Sequence, residues 1–113
     1  MPEEAEETIF SWMPDKTYNL DEYVRFNIVE ECIVEFVMGV SIDKVGSRKV
    51  IRMLNKNDKG FNFFPVLVLV DGVAFNDHSD VLAYNAHRVQ YIHQYRSNFA
   101  LGENFYGGIL SLV

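Results

Sequence analysis

A group of histidine and carboxylate residues in the second half of the chain has the side chains that acid–base or metal chemistry requires. Asp77 lies next to His78, and such a pair can act as general acid and base, while His87 and His93 could add imidazole ligands for a metal ion. His87 and His93 share one side only if the whole segment between them is a strand, and no further Cys or His completes a ligand set at short spacing. We therefore expect capping or solvated histidines, no metal site and no catalytic residue.

Asp71 and Gly72 could mark a catalytic loop, but turn geometry already explains them. Gly accepts a positive φ and Asp bonds to its own nearby backbone, so Asp-Gly after an apolar run indicates a tight turn. Ser79 lacks a Gly-x-Ser-x-Gly nucleophile motif, and the glycines between 102 and 108 lack the Gly-Lys-Ser/Thr ending of a phosphate loop. We predict that Asp71 and Gly72 form a structural turn and that 102–108 is a strand connection.

The C-terminal third contains several aromatic side chains that could stack on a sugar or contact a partner protein. The candidate ligand-binding residues are Tyr91, Tyr95, Phe105 and Tyr106, and Phe99 belongs to the same aromatic run. About half of these side chains are expected in the core. The pattern indicates no particular ligand.

The stretch from Val66 to Val70 is the element around which these residues must be placed. Its five apolar residues alternate Val and Leu without a polar break, which is typical of a strand buried on both faces. Pro65 suits the first position of a strand because it has no N–H to contribute to a ladder. The strand is therefore predicted to be central in the sheet.

The clearest helix is predicted over Asn27–Met38. Its apolar residues recur at helical spacing and form one face; they are Ile28, Val29, Cys32, Ile33, Phe36 and Val37. Asn27 with Glu30 three residues later matches a capping box, and Gly39 is predicted to end the helix at the C′ position. The single cysteine, Cys32, is expected to be buried as a small hydrophobic side chain.

The remaining segments are predicted to be strands, turns and one short helix. An extended arm is predicted at 9–20, a hairpin of Val40–Val45 and Arg48–Leu54 turning at Gly46-Ser47, a polar loop at 55–60, a short helix at Asp80–Tyr84, and strands at His87–Ser97 and Ile109–Val113. The predicted fold is α+β, with a small mixed β-sheet of four to five strands, one main helix packed on one face, and one short helix.

Length and composition restrict the class of protein. A chain of 113 residues predicts one domain, with residues 1–8 as a disordered acidic tail and 9–113 as the folded unit. Four glutamates in that tail supply most of the net charge of −6, so the remainder has no basic stripe for nucleic acid. One cysteine excludes an intramolecular disulfide, and no apolar window is long enough for a transmembrane helix. No cofactor is predicted.

Three stretches, in order along the chain, resemble a known family. They are PVLVLVDGVAF, DHSDVLAYNAHRVQYIHQYRSNFALG and FYGGILSLV. Together they are similar to the plug domain of TonB-dependent outer-membrane receptors, in which a Leu-Val-Asp-Gly-Val strand and turn precede a short helix and two further strands. The upstream NLDEYVRFNIVEECIVEFVMGVSIDKVG resembles that family's early helix and the strand after it. Ala74 stands where the family often has Pro, and Asn85-Ala86 where it often has Asp-Pro.

The resemblance implies a non-catalytic plug-like module, a domain fragment of a larger protein in the cell envelope of Gram-negative bacteria. Its implied location is periplasmic or associated with the outer membrane, and its implied partners are neighbouring domains of a longer chain or another envelope protein. Two alternatives stay open: a small enzyme that uses Asp77 and His78, and an interaction domain that forms a homodimer through an exposed sheet edge.

Overall fold

A computed structural model describes residues 13–54, 60–61, 64–101 and 103–113. The predicted acidic tail at 1–8, the first part of the predicted arm (9–12) and all of the predicted polar loop at 55–60 except Gly60 lie outside the described residues. The strands are β1 (Lys16–Asn19), β2 (Val40–Val45), β3 (Arg48–Met53), β4 (Leu67–Val70), β5 (Val73–Phe75), β6 (Tyr91–Tyr95), β7 (Phe99–Leu101), β8 (Asn104–Tyr106) and β9 (Ile109–Leu112). The α-helices are α1 (Val29–Phe36) and α2 (His78–Leu82), and 3-10 turns cover Leu20–Glu22 and Ala86–Arg88.

The main sheet has five strands in the order β1-β6-β9-β4-β5. The β4–β9 pair is parallel and the other pairs are antiparallel, so the prediction of a mixed sheet in an α+β fold is confirmed. Every residue from Val66 to Val70 is at most 7% exposed, which confirms the doubly buried strand. The middle position belongs to β9, however, and β4 lies next to it.

The Val and Leu residues of β4 point to opposite faces of the sheet, as strand geometry requires. Val68 and Val70 join the larger core cluster, to which α1 contributes Val29, Cys32 and Ile33. Leu67 and Leu69 belong to a second cluster on the other face, with Tyr95 and Ile109, and Tyr106 packs against it. Alternating Val and Leu in the sequence therefore corresponds to two separately covered faces, and the predicted burial of Cys32 is confirmed.

The β2–β3 hairpin forms a separate two-stranded sheet beside the main sheet. Gly46 has φ 63 at the turn, as predicted, and Ile51 and Met53 of β3 are fully buried in the larger core cluster. Two partly buried hydrogen bonds hold the chain just before the hairpin: the Met38 N–H donates to Tyr18 Oη at 2.9 Å, and Gln94 Nε2 donates to the Met38 carbonyl at 2.9 Å.

Both helices have shifted ends compared with the sequence prediction: α1 covers Val29–Phe36 instead of Asn27–Met38, and α2 covers His78–Leu82 instead of Asp80–Tyr84. The N-cap of α1 is Ile28 rather than Asn27, because Glu31 accepts the N–H groups of Asn27 and Ile28 at 3.2 Å each. The predicted capping partner Glu30 binds Lys49 instead, with Oε2 at 2.8 Å from Nζ. The helix ends at Phe36, so Gly39 (φ 73) lies two residues beyond the C-cap rather than at C′.

Two C-terminal predictions also require correction. The segment 102–108 is not simply a connection, because Asn104–Tyr106 forms β8 and pairs with β7 as a small hairpin. The predicted strand His87–Ser97 is shortened to Tyr91–Tyr95, since Asn85 Oδ1 accepts the His87 N–H at 2.9 Å and caps a 3-10 turn there. Among the described residues, no helix is both long enough and apolar enough to cross a membrane.

Candidate binding site

The His78 side chain connects β3 to Val66, the residue directly before β4. The Ile51 N–H donates to His78 Nδ1 at 2.8 Å, and His78 Nε2 lies 2.8 Å from the Val66 carbonyl oxygen. An N–H can only donate and a carbonyl can only accept, so Nδ1 is unprotonated and Nε2 carries the proton. The imidazole is therefore neutral, and both of its nitrogens are occupied by backbone groups.

The surroundings of His78 favour that neutral state. The side chain is 8% exposed, and burial lowers its pKa below the ordinary value of 6.5; the bond to the Val66 carbonyl and the charge of Asp77 oppose this shift without reversing it. The expectation of a capping or solvated histidine is therefore wrong for His78, which is a buried structural residue.

Asp77 and Ser79 are also bound to backbone. Asp77 is the N-cap of α2, since its Oδ1 accepts the Ser79 N–H at 2.9 Å, as the residue types at 76–79 predicted. Ser79 Oγ accepts the Lys49 N–H at 3.1 Å. The first turn of α2 thus binds two backbone donors of β3, those of Lys49 and Ile51.

A cavity of about 180 Å³ opens beside this turn. Asp77 and His78 line it together with Arg48, Lys49 and Tyr106. The cavity has the size for a small molecule, but its histidine has no free nitrogen to exchange a proton, and its Lys49 ammonium is paired with Glu30. In this arrangement a proton transfer by His78 would first require one of its two backbone hydrogen bonds to break.

The other two histidines lie apart from that cavity. His87 is exposed on the 3-10 turn, whereas His93 is half-buried on β6, where Nδ1 is 3.0 Å from Thr17 Oγ1 and burial lowers its pKa. In the described ranges, no group of three or more His, Cys, Asp or Glu side chains is placed to hold a metal ion.

A second cavity, of about 160 Å³, is lined mainly by aromatic side chains. Phe64 and Phe105 are 39% and 61% exposed, and their ring centroids are 5.7 Å apart at an angle of 36°. Tyr106 lies between this cavity and the first, and Asn98 and Ala100 complete the lining. We call Phe64, Phe105 and Tyr106 the aromatic surface.

Local sequence explains how the aromatic surface forms. In the β7–β8 register Ala100 is opposite Phe105, so a methyl group faces a phenyl ring and leaves space beside it. The Gly107 N–H donates to the Pro65 carbonyl at 2.9 Å, which fixes the segment carrying Phe64 against the end of β8. A small residue opposite a large one therefore leaves this cavity open.

The structure separates the four aromatic residues that the sequence singled out. Phe105 and Tyr106 line the aromatic cavity, while Tyr95 is 6% exposed in the core cluster against which Tyr106 packs, and burial raises its pKa. Tyr91 is 40% exposed and stacks on His93, with centroids 5.9 Å apart. Phe64 was not predicted, because its contact with Phe105 is distant in sequence.

Asp71 and Gly72 form the turn between β4 and β5, with φ 51 and φ 83. Asp71 is exposed and lines neither cavity, so the structure places this pair at a turn, as the sequence predicted. Ser111, which has no activating motif near it in the sequence, is 1% exposed on β9, and its Oγ has no hydrogen-bond partner among the described residues.

Comparison of this chain with protein-family models, with curated proteins and with solved structures finds no match in any of the three.

Proposed function

We propose that this chain is a non-catalytic plug-like module of a larger cell-envelope protein, similar to the plug domains of TonB-dependent receptors. It acts by contact with a neighbouring domain or an envelope partner, and the contact is made through the aromatic surface. It needs no cofactor and no nucleic acid. The proposed location is the periplasmic side of the envelope or the outer membrane.

The observation that carries the non-catalytic part is the bonding of His78. A general base needs a nitrogen that can accept a proton from a substrate within hydrogen-bond reach. His78 uses Nδ1 for Ile51 and Nε2 for Val66, so neither nitrogen reaches the cavity without loss of a backbone bond. Its neighbour Asp77 is occupied as an N-cap.

The binding part is supported by the exposure of aromatic side chains. Phe64 and Phe105 present two tilted rings to solvent beside an open cavity, and exposed apolar groups of this kind are typical of protein contact sites. Aromatic residues dominate the energy of many such contacts because they remove a large apolar area from water.

The test begins with the genomic reading frame that contains this segment, from which the flanking domains would be expressed separately. Their affinity for this chain would be measured by calorimetry. Phe105→Ala removes an aromatic ring, and Ala100→Leu fills the cavity. Each variant should weaken binding about tenfold. Val45→Ala is the matched control, since Val45 is 55% exposed, close to the 61% of Phe105, but lies on β2. A reading frame without flanking domains, or equal affinities for all variants, would contradict the proposal.

A small enzyme that uses Asp77 and His78 is the second candidate. The observation that favours it is that both side chains line the 180 Å³ cavity beside Arg48. It requires the His78 ring to leave its backbone partners when substrate binds. NMR of the histidine side chains would test this candidate. If His78 Nδ1 stays bonded to the Ile51 N–H when ligands are added, the enzyme candidate is excluded.

A further inference from the structure

The outer edge of β2 carries backbone groups that point away from the rest of the protein. The Ile51 N–H and carbonyl are both used outside the hairpin, for His78 Nδ1 at 2.8 Å and the Val66 N–H at 3.0 Å. Ile51 is paired with Ile42 in the β2–β3 register. Because antiparallel pairs alternate between bonded and non-bonded, Ile42 must also turn its N–H and carbonyl away from β3. The same holds for Val40 and Lys44, two residues to either side.

These outward groups have no partner within the described chain. Within the described ranges, β2 pairs only with β3, and no backbone bond reaches β2 from another element. The strand has six residues in unbroken register, whereas the edge strands β1 and β5 of the main sheet have four and three. Natural edge strands are commonly shortened, interrupted by Pro or covered, because an open edge is a template for another strand. β2 is neither short nor interrupted by Pro, and no described strand pairs with its outer edge; its exposed protective charge is Lys44, since charged side chains also discourage edge pairing.

The side chains at this edge also leave apolar surface partly covered. Val40 and Ile42 pack against the core cluster but remain half-buried, so the core extends to the open edge. Ser41 and Asp43 point to the other face, where Asp43 Oδ2 binds Arg52 Nη1 at 2.8 Å. A strand added here would cover the apolar rim and pair the free backbone groups at once.

We propose that β2 is a dimerisation strand to which a second copy of this chain adds its own β2, antiparallel, across a twofold axis at Ile42. In this register Ile42 faces Ile42 of the second copy, Val40 faces Lys44, and Ser41 faces Asp43. Every outward N–H and carbonyl of Val40, Ile42 and Lys44 is then paired. The hairpins of the two copies form one continuous four-stranded sheet.

The sequence of β2 favours a second copy because it is complementary to itself in this register. Asp43 faces the Ser41 hydroxyl, which can donate to it, and keeps its ion pair with Arg52. A shift by two residues in one direction would put the two Asp43 carboxylates opposite each other, which is unfavourable. The opposite shift would pair Lys44 with Met38, which lies outside the strand.

Proline at position 44 provides the sharpest test. Lys44 is exposed and its N–H points outward, so Lys44→Pro removes a donor at the new interface without removing a bond to β3. Sedimentation velocity over a concentration series should show a monomer–dimer equilibrium for the wild type and for the control Lys44→Ala. Lys44→Pro should raise the dissociation constant about tenfold or more. Circular dichroism would establish that each variant is folded.

Amide hydrogen exchange gives an independent measurement of the register. The Ile42 and Lys44 amides should gain protection as protein concentration rises, whereas the Asp43 amide, already bonded within the hairpin, should not change. Phe105→Ala should leave the dimer intact, which separates this inference from the proposed function. A wild type that stays monomeric at the highest concentration, or concentration-dependent protection confined to other elements, would overturn the proposal.

Discussion

The β2–β3 hairpin has two outer edges, which differ in whether their outward backbone groups are hydrogen-bonded. The β3 edge is closed: its Ile51 and Lys49 N–H groups bind His78 and Ser79, and the Ile51 carbonyl accepts the Val66 N–H. The β2 edge presents Val40, Ile42 and Lys44 with no partner in the part of the chain that the structure describes. One short hairpin therefore has one edge built into the protein and one exposed.

This difference shows how a short helix can replace a strand. Helix α2 has only five residues, yet its first two side chains supply the acceptors that a neighbouring strand would otherwise offer to β3. The arrangement requires a neutral His78 in a buried position, which links attachment of the hairpin to a titratable group. The β2 edge has no such requirement, and substitutions there should affect association rather than folding.

Replacement of His78 by Ala should have the largest effect on the closed edge. His78→Ala leaves the Ile51 N–H and the Val66 carbonyl buried without that partner and creates a cavity, so the free energy of unfolding should fall by about 3 kcal/mol. Urea denaturation would measure it. His87→Ala, at an exposed histidine, is the control and should change stability by less than about 0.5 kcal/mol. Equal losses for the two variants would show that the closed edge does not depend on His78.

Acid should weaken the closed edge in a way that depends on His78. Its folded pKa lies below the ordinary 6.5, so the unfolded chain binds more protons between the two values. The contribution to stability is complete above 6.5 and is lost as the pH falls through 6.5 toward the folded pKa. The pKa of His93 is lowered by burial too and adds a loss in the same direction.

Unfolding free energies measured from about pH 7.5 to about pH 5 separate the two histidines. The stability of His78→Ala should depend less on pH than that of the wild type. The pH dependence that remains should disappear in a variant that also carries His93→Gln. A wild type and a His78→Ala variant with the same slope would contradict the assignment of the neutral imidazole.

A smaller effect is expected from Ser79. Ser79→Ala removes the acceptor of the Lys49 N–H at the half-buried start of α2, so stability should fall by about 1 kcal/mol. Val45→Thr on the exposed β2 edge is the comparison and should stay within about 0.5 kcal/mol of the wild type. Thermal unfolding followed by circular dichroism would measure both. A larger loss at Val45 than at Ser79 would reverse the contrast between the two edges.

The features that the sequence predicted well are those set by neighbouring residues. The Val66–Val70 run predicted a strand buried on both faces, Gly46-Ser47 predicted a hairpin, and Asp77 was among the predicted N-cap residues. Each depends on side-chain alternation, on a residue that accepts positive φ, or on a side chain that reaches its own backbone. Such signals are complete within a few residues.

The features that the sequence did not predict depend on distant partners. The role of His78 requires β3 to lie beside α2, and Phe64 meets Phe105 only because Gly107 bonds to Pro65. Glu31 rather than Glu30 accepts the N–H groups at the start of α1, while Glu30 forms an ion pair with Lys49, which is distant in sequence. The proposed plug-like function depends on the order of short motifs, and the experiments above are its test.

The order of the main sheet has a consequence for how the protein is made. β9 follows all the other described strands in chain order, and among these strands it alone connects the β1–β6 pair with the β4–β5 pair. During synthesis on the ribosome, these two ribbons have no backbone bonds to each other until Ile109–Leu112 has emerged. Assembly of the five-stranded sheet should therefore wait for β9, because the contacts that β9 makes are distant in sequence and form late.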